Sequence, residues 1–131
     1  MSELNKTLED VFGYTSFRPG QEEVINHLMQ KKKLLAVMPT GAGKSLCYQL
    51  PALLFENQTI VVSPLVALMD DQVIGLKDLG VKAERVHSGM PESKRTQIWE
   101  DFKSKQTKIL YISPESLMRN EMLSALKPLN I

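Results

Sequence analysis

The chain has 131 residues, 43% of them hydrophobic and 24% charged, which suits one globular core and no more than one domain. A net charge of +1 carries no nucleic-acid signature, so any such partner has to be argued from local features. No apolar stretch reaches the length that spans a bilayer, the first residues lack a signal-peptide core, and the lone Cys47 excludes an internal disulfide; a reducing, cytoplasmic setting without a membrane partner is expected.

Leu4, Leu8, Val11 and Phe12 recur at helical spacing behind Ser2, which predicts a short capped helix. Phe17-Arg18-Pro19-Gly20 breaks it, and Val24, Ile25, Leu28 and Met29 form the stripe of a second helix. Lys31-Lys32-Lys33 reads as a solvated helix end, where cations favour the dipole. The apolar run Leu34–Met38 predicts a strand covered on both faces.

That run empties into Met38-Pro39-Thr40-Gly41-Ala42-Gly43-Lys44-Ser45 and then a helix from Lys44 to about Phe55. Small residues let successive amides face one anion, and the helix N-terminus adds its positive end at the same place. Lys44 would reach the β- and γ-phosphates of a nucleotide, and Ser45 would place its hydroxyl on Mg²⁺. Met38 stands where the eight-residue phosphate-loop pattern has its first glycine, so the match is to the shorter Thr-Gly-x-Gly-Lys-Ser form.

Beyond it, strands are expected at Thr59–Ser63, Ala83–His87 (nearer an edge) and Ile109–Ile112. Helices are expected from Leu65 to Leu79, with Leu65, Leu68, Gln72, Leu76 and Leu79 on one face, and from Glu92 to Lys103. Val66–Asp71 imitates a strand ending in acid, but Pro64 and the helical period favour a helix. Cys47 and the Ile98, Trp99, Phe102 group read as packing residues, and His27 and His87 have no metal-binding companions. The alternation predicts an α/β fold: a parallel sheet with helices on both faces and ligands at the carboxyl ends of its strands. Three strands end in Pro39, Pro64 and Pro114; the last two stand behind a serine that can cap, with the proline expected at a first helical position.

Taken in order, the segments resemble RecQ-type DNA helicases, which share two RecA-like motor domains of the P-loop type. The matching residues are Phe12-Gly13-Tyr14 with Phe17-Arg18-Pro19-Gly20-Gln21, Met38 through Gln49, Val62 through Val73, and Leu110 through Met118. The resemblance implies an ATP-dependent helicase that unwinds DNA in a bacterial cytoplasm or nucleoid, acting on single strands and forks. Tyr14, Arg18 and Gln21 would recognise adenine; an amide can donate to and accept from the base edge, and a guanidinium can pack on its face. Met38, Pro39, Thr40, Gly41, Ala42, Gly43, Lys44 and Ser45 would hold ATP and Mg²⁺. Ser63, Pro64, Leu65, Asp71 and Gln72, together with Ser113, Pro114 and Glu115, resemble motifs that grip a single strand by its phosphates; Ser88 is added to them as the small residue after the third strand.

In that family an Asp-Glu-Ala-His box after the next strand holds the metal and positions water, and a second motor domain supplies an arginine. No segment here supplies the box. The expectation is therefore residues 1–131 as the front portion of the first RecA-like domain, truncated before that strand. Alone it would hydrolyse nothing, with an exposed sheet edge prone to self-association; zinc would belong only to a downstream domain. Two alternatives stand beside this: a non-catalytic nucleotide-binding fragment, and an RNA helicase. The second is disfavoured because DEAD-box proteins carry a Pro-Thr-x-x-Gln motif where this chain has Phe17-Arg18-Pro19-Gly20-Gln21.

Overall fold

A computed structural model describes residues 2–31, 33–39 and 43–131. The chain divides into two compact units, Met1–Glu56 and Asn57–Ile131.

The first unit holds three helices. Helix α1 (Glu3–Asp10) starts at Ser2, whose hydroxyl accepts from the Asn5 amide at 3.2 Å and so satisfies one free helix donor. Helix α2 (Gln21–Met29) follows Gly20, which sits in the left-handed region at φ 86°. Helix α3 (Lys44–Leu54) begins after Gly43 at φ 77°. Leu8, Ile25, Leu46 and Leu50 form the buried centre of this unit, with Phe12, Phe17 and Met29 packed around them.

Leu34–Met38 does not form the expected strand. It has no regular secondary structure, and Leu35 and Val37 stand 90% and 88% exposed. Apolar composition makes such a run suited to a sheet interior, but a parallel strand exists only where a neighbour supplies the ladder. Thr40, Gly41 and Ala42, the middle of the expected phosphate loop, lie outside the described residues, as does Lys32.

The second unit is a three-stranded parallel sheet of β1 (Thr59–Val62), β2 (Ala83–Val86) and β3 (Ile109–Ile112), in the order β1-β3-β2. All of β3 is buried, as its central place requires, whereas β1 is half-exposed rather than covered on both faces. Helices α4 (Val66–Asp78) and α5 (Glu92–Lys103) take opposite faces. Side chains alternate along a strand. Arg85 accordingly pairs with Asp70 of α4, while its neighbour Val86 packs with Leu110 against Ile98 and Phe102 of α5. Two short helices, α6 (Pro114–Leu117) and α7 (Asn120–Leu126), follow β3.

Val66–Asp71 is helical, as its period indicated, but of the expected α4 face only Leu76 is fully buried. Met69, Val73 and Leu76 face inward, whereas Leu65, Leu68 and Leu79 are exposed. The inward set runs i, i+4, i+7, an equally regular pattern, and contact with β2 selects it. Pro64 also departs from expectation: it lies ahead of the helix, whose cap is Leu65. Ser63 Oγ accepts instead from the Leu65 amide at 3.3 Å, closing a local turn. Ser113-Pro114 behaves as expected, with Ser113 capping α6 and Pro114 in its first turn.

Candidate nucleotide and nucleic-acid sites

In the first unit the expected adenine motif and phosphate loop meet through Gln21. Its side chain is 3% exposed, with Oε1 accepting from the Arg18 amide at 2.8 Å and Nε2 donating to the Gly43 carbonyl at 3.1 Å. The amide thus closes the turn before α2 and ties it to the residue before α3. Gly43 is the residue the contact demands. Its φ is left-handed, and a Cβ there would overlap Gln21 Nε2.

Lys44 and Ser45 are the first two residues of α3, where backbone donors lack helical acceptors. Lys44 is exposed and Ser45 half-buried, and among the described residues neither side chain has a hydrogen-bond or ion-pair partner. Behind them Cys47 is buried, with Sγ 3.9 Å from both Met38 Sδ and the Gly43 carbonyl; burial pushes its thiol pKa up.

A cavity of about 720 Å³ lies along α2, lined by Arg18, Gly20, Glu23, Val24 and His27 and by Leu34 through Pro39. Arg18, Met38 and Pro39 of the expected nucleotide set therefore share one wall system, while Tyr14 is exposed and outside it. Glu23 was not singled out by sequence, and His27 only to be set aside as a metal ligand. His27 Nε2 lies 3.2 Å from the Lys33 carbonyl, so the ring ties the end of α2 to the segment that follows.

In the second unit the expected strand-contacting residues collect at the carboxyl edge of the sheet. The Ser63 amide donates to the Ile112 carbonyl at 3.0 Å, and the Ser113 amide to the Val86 carbonyl at 3.2 Å. Both serines thus stand one step past parallel strands in a common register. After β2 the chain turns through Ser88-Gly89, with the Gly89 amide donating to His87 Nδ1 at 3.2 Å. Ser88, Pro64, Leu65, Asp71 and Glu115 are exposed, and Gln72 is half-buried. Ser113 is buried: its Oγ accepts from the Ser116 amide at 3.3 Å and lies 3.0 Å from Ser116 Oγ, so this hydroxyl serves α6. Among the described residues no group of three or more His, Cys, Asp and Glu is arranged to hold a metal ion.

The model of the DEAD/DEAH box helicase family matches residues 18–129. The chain belongs to that family. Its resemblance within the family is to the RecQ type. It is 50% identical over 113 residues to the ATP-dependent DNA helicase RecQ of Haemophilus influenzae, covering 86% of this chain and 18% of that protein. With the RecQ of Synechocystis the identity is 44% over 124 residues, covering 95% and 26%. The human ATP-dependent DNA helicase Q4 is 45% identical over 121 residues, covering 89% and 10%. This chain therefore spans roughly a quarter or less of the length of these relatives. A crystal structure of a hypothetical ATP-dependent RNA helicase from Sulfolobus tokodaii superposes with a TM-score of 0.72 at 23% identity, over 95% of this chain and 37% of that one. That likeness establishes the helicase RecA-like α/β fold. No helix among the described residues is long and apolar enough to cross a membrane.

Proposed function

We propose that this chain is the nucleotide-binding front of the first RecA-like domain of an ATP-dependent DNA helicase working in the cytoplasm. The observation that carries the proposal is the Gln21–Gly43 bond. It holds a buried amide beside a helix N-terminus that presents an exposed lysine and a half-buried serine. Lys44 would meet the β- and γ-phosphates and Ser45 would ligate Mg²⁺, with residues 38–43 as the cradle. Arg18 and Tyr14 would pack on adenine. The contacts of its carboxamide to the Arg18 amide and the Gly43 carbonyl fix the orientation of Gln21 beside the start of α3.

The carboxyl edge of the sheet would carry the single strand on Ser63, Pro64, Leu65, Asp71, Gln72, Ser88, Ser113, Pro114 and Glu115. Because the Ser113 hydroxyl caps α6, contact there falls to backbone amides and to the exposed flank of the turn. The 131 residues contain no Asp-Glu-Ala-His sequence, so we assign this stretch binding without hydrolysis. Competition of the four nucleoside triphosphates for a fluorescent ATP analogue tests the adenine assignment. ATP is expected to compete best, and Gln21→Ala to erase that preference. Equal competition by all four would contradict it.

A further inference from the structure

Between α5 and the segment after β3, all within the second unit, lies a cavity of about 220 Å³ that none of the motifs above uses. Glu92, Arg95 and Trp99 line it from one face of α5, spaced as neighbouring turns require. Val86 at the end of β2, Ser116 on α6, and Arg119 also line it, with Thr96, Met122 and Ala125. Arg95 Nε is buried and has no hydrogen-bond partner among the described residues. Buried polar groups are almost always paired, so an orphaned cationic donor on a residue that lines a cavity marks a place for an acceptor. Glu92 does not fill that role: it forms no ion pair with Arg95, and the described lining holds two arginines against one carboxylate. A single-charge anion suits that balance.

We infer that this cavity seats a backbone phosphate of single-stranded DNA through Arg95 and Arg119. The inference rests on the strand-contacting reading above and extends it to residues outside the motifs. Its location selects the occupant. Val86 is the last residue of β2, just ahead of the Ser88-Gly89 turn, and Ser116 Oγ touches Ser113 Oγ at 3.0 Å. The pocket is thus continuous with the sheet edge where the other phosphate contacts are assigned. Arginine matches a phosphodiester in geometry and charge, and Trp99, stacked on Phe102 with centroids 5.6 Å apart, fixes the wall beside it.

The test follows the Arg95 Nε–H resonance of the unmutated 131-residue chain by NMR during titration with a (dT) dodecamer and, separately, inorganic phosphate. Anisotropy measurements of salt-dependent dodecamer binding by Arg95→Gln/Arg119→Gln accompany it, with circular dichroism to verify the fold. A saturable Arg95 shift with the dodecamer is expected. The double variant should bind on the order of tenfold more weakly, with its salt slope reduced by about 0.7 for the lost phosphate. If the dodecamer moves the Ser63 and Ser113 amides but not Arg95, the pocket assignment fails while the strand-contacting reading stands. If it moves none of them, both fail. Saturation of Arg95 by phosphate alone would overturn DNA as the occupant.

Discussion

Gln21 Nε2 donates to the carbonyl of Gly43, a residue 22 positions away, from a side chain that is almost wholly buried. The bond joins the turn that opens α2 to the turn that opens α3, so the candidate base-reading and phosphate-holding residues form one construction. Gln21→Ala leaves the Gly43 carbonyl and the Arg18 amide without their partner. A loss of about 1–3 kcal/mol is expected. Gly43→Ala should cost at least about 1–2 kcal/mol from the left-handed backbone alone, before the overlap with Gln21 is counted. Urea denaturation of both variants measures this; a change below about 0.5 kcal/mol in each would show that the bond is incidental.

The face of α4 gives a second expectation. Met69 is fully buried and Leu68 is 45% exposed, although they are adjacent. Met69→Ala should destabilise by about 2–5 kcal/mol, and Leu68→Ala by no more than about 0.5 kcal/mol. Comparable losses would mean that the helix is rotated from the orientation described.

Much of this architecture was legible because it is local. The Ser2 cap, the break at Gly20, the limits of α5, and β3 follow from spacing and turn chemistry within a few residues. What depended on distant partners was not. Leu34–Met38 has the composition of a strand, but a ladder needs a neighbour. The two leucine- and methionine-bearing stripes of α4 are equally periodic, and only packing on β2 distinguishes them. Ser63-Pro64 and Ser113-Pro114 are identical dipeptides. One serine bonds two residues ahead and closes a turn, the other three ahead and caps a helix. Gln58 lies outside every motif, yet its Nε2 donates to the carbonyls of Phe102 and Thr107, both at 2.7 Å, tying the start of β1 to the end of α5 and the loop before β3. Of the candidate sites, Lys44, Ser45 and Gln21 were readable from motif and resemblance, while Arg95 carried no signal because its significance is a missing partner.

Cys47 should behave as a suppressed thiol. Burial raises its pKa in the folded chain above the unfolded value. The associated stability is fully present below the unfolded pKa and is lost as pH rises through the folded one. Alkylation by iodoacetamide at pH 8 should be at least about tenfold slower in buffer than in urea, since the thiolate is the nucleophile. Cys47→Ala should flatten the alkaline limb of the stability profile. Equal alkylation rates in the two solvents would contradict the burial.

Leu35 and Val37 are the most exposed large hydrophobic residues among those described. Extended segments with free amides and apolar side chains pair with other chains, and charge suppresses this. We expect the chain to self-associate at high concentration and Leu35→Lys to reduce its weight-average mass in sedimentation equilibrium. A monomer at every concentration would remove the segment from consideration.

The central claim is that α2 and the start of α3 together form an ATP site. Isothermal titration calorimetry of the 131-residue chain with ATP and Mg²⁺ tests it most directly. Saturable one-to-one binding is predicted, abolished by Lys44→Ala and weakened by Gln21→Ala. Heat of binding that is unchanged in Lys44→Ala, or none from a chain shown to be folded, would contradict it.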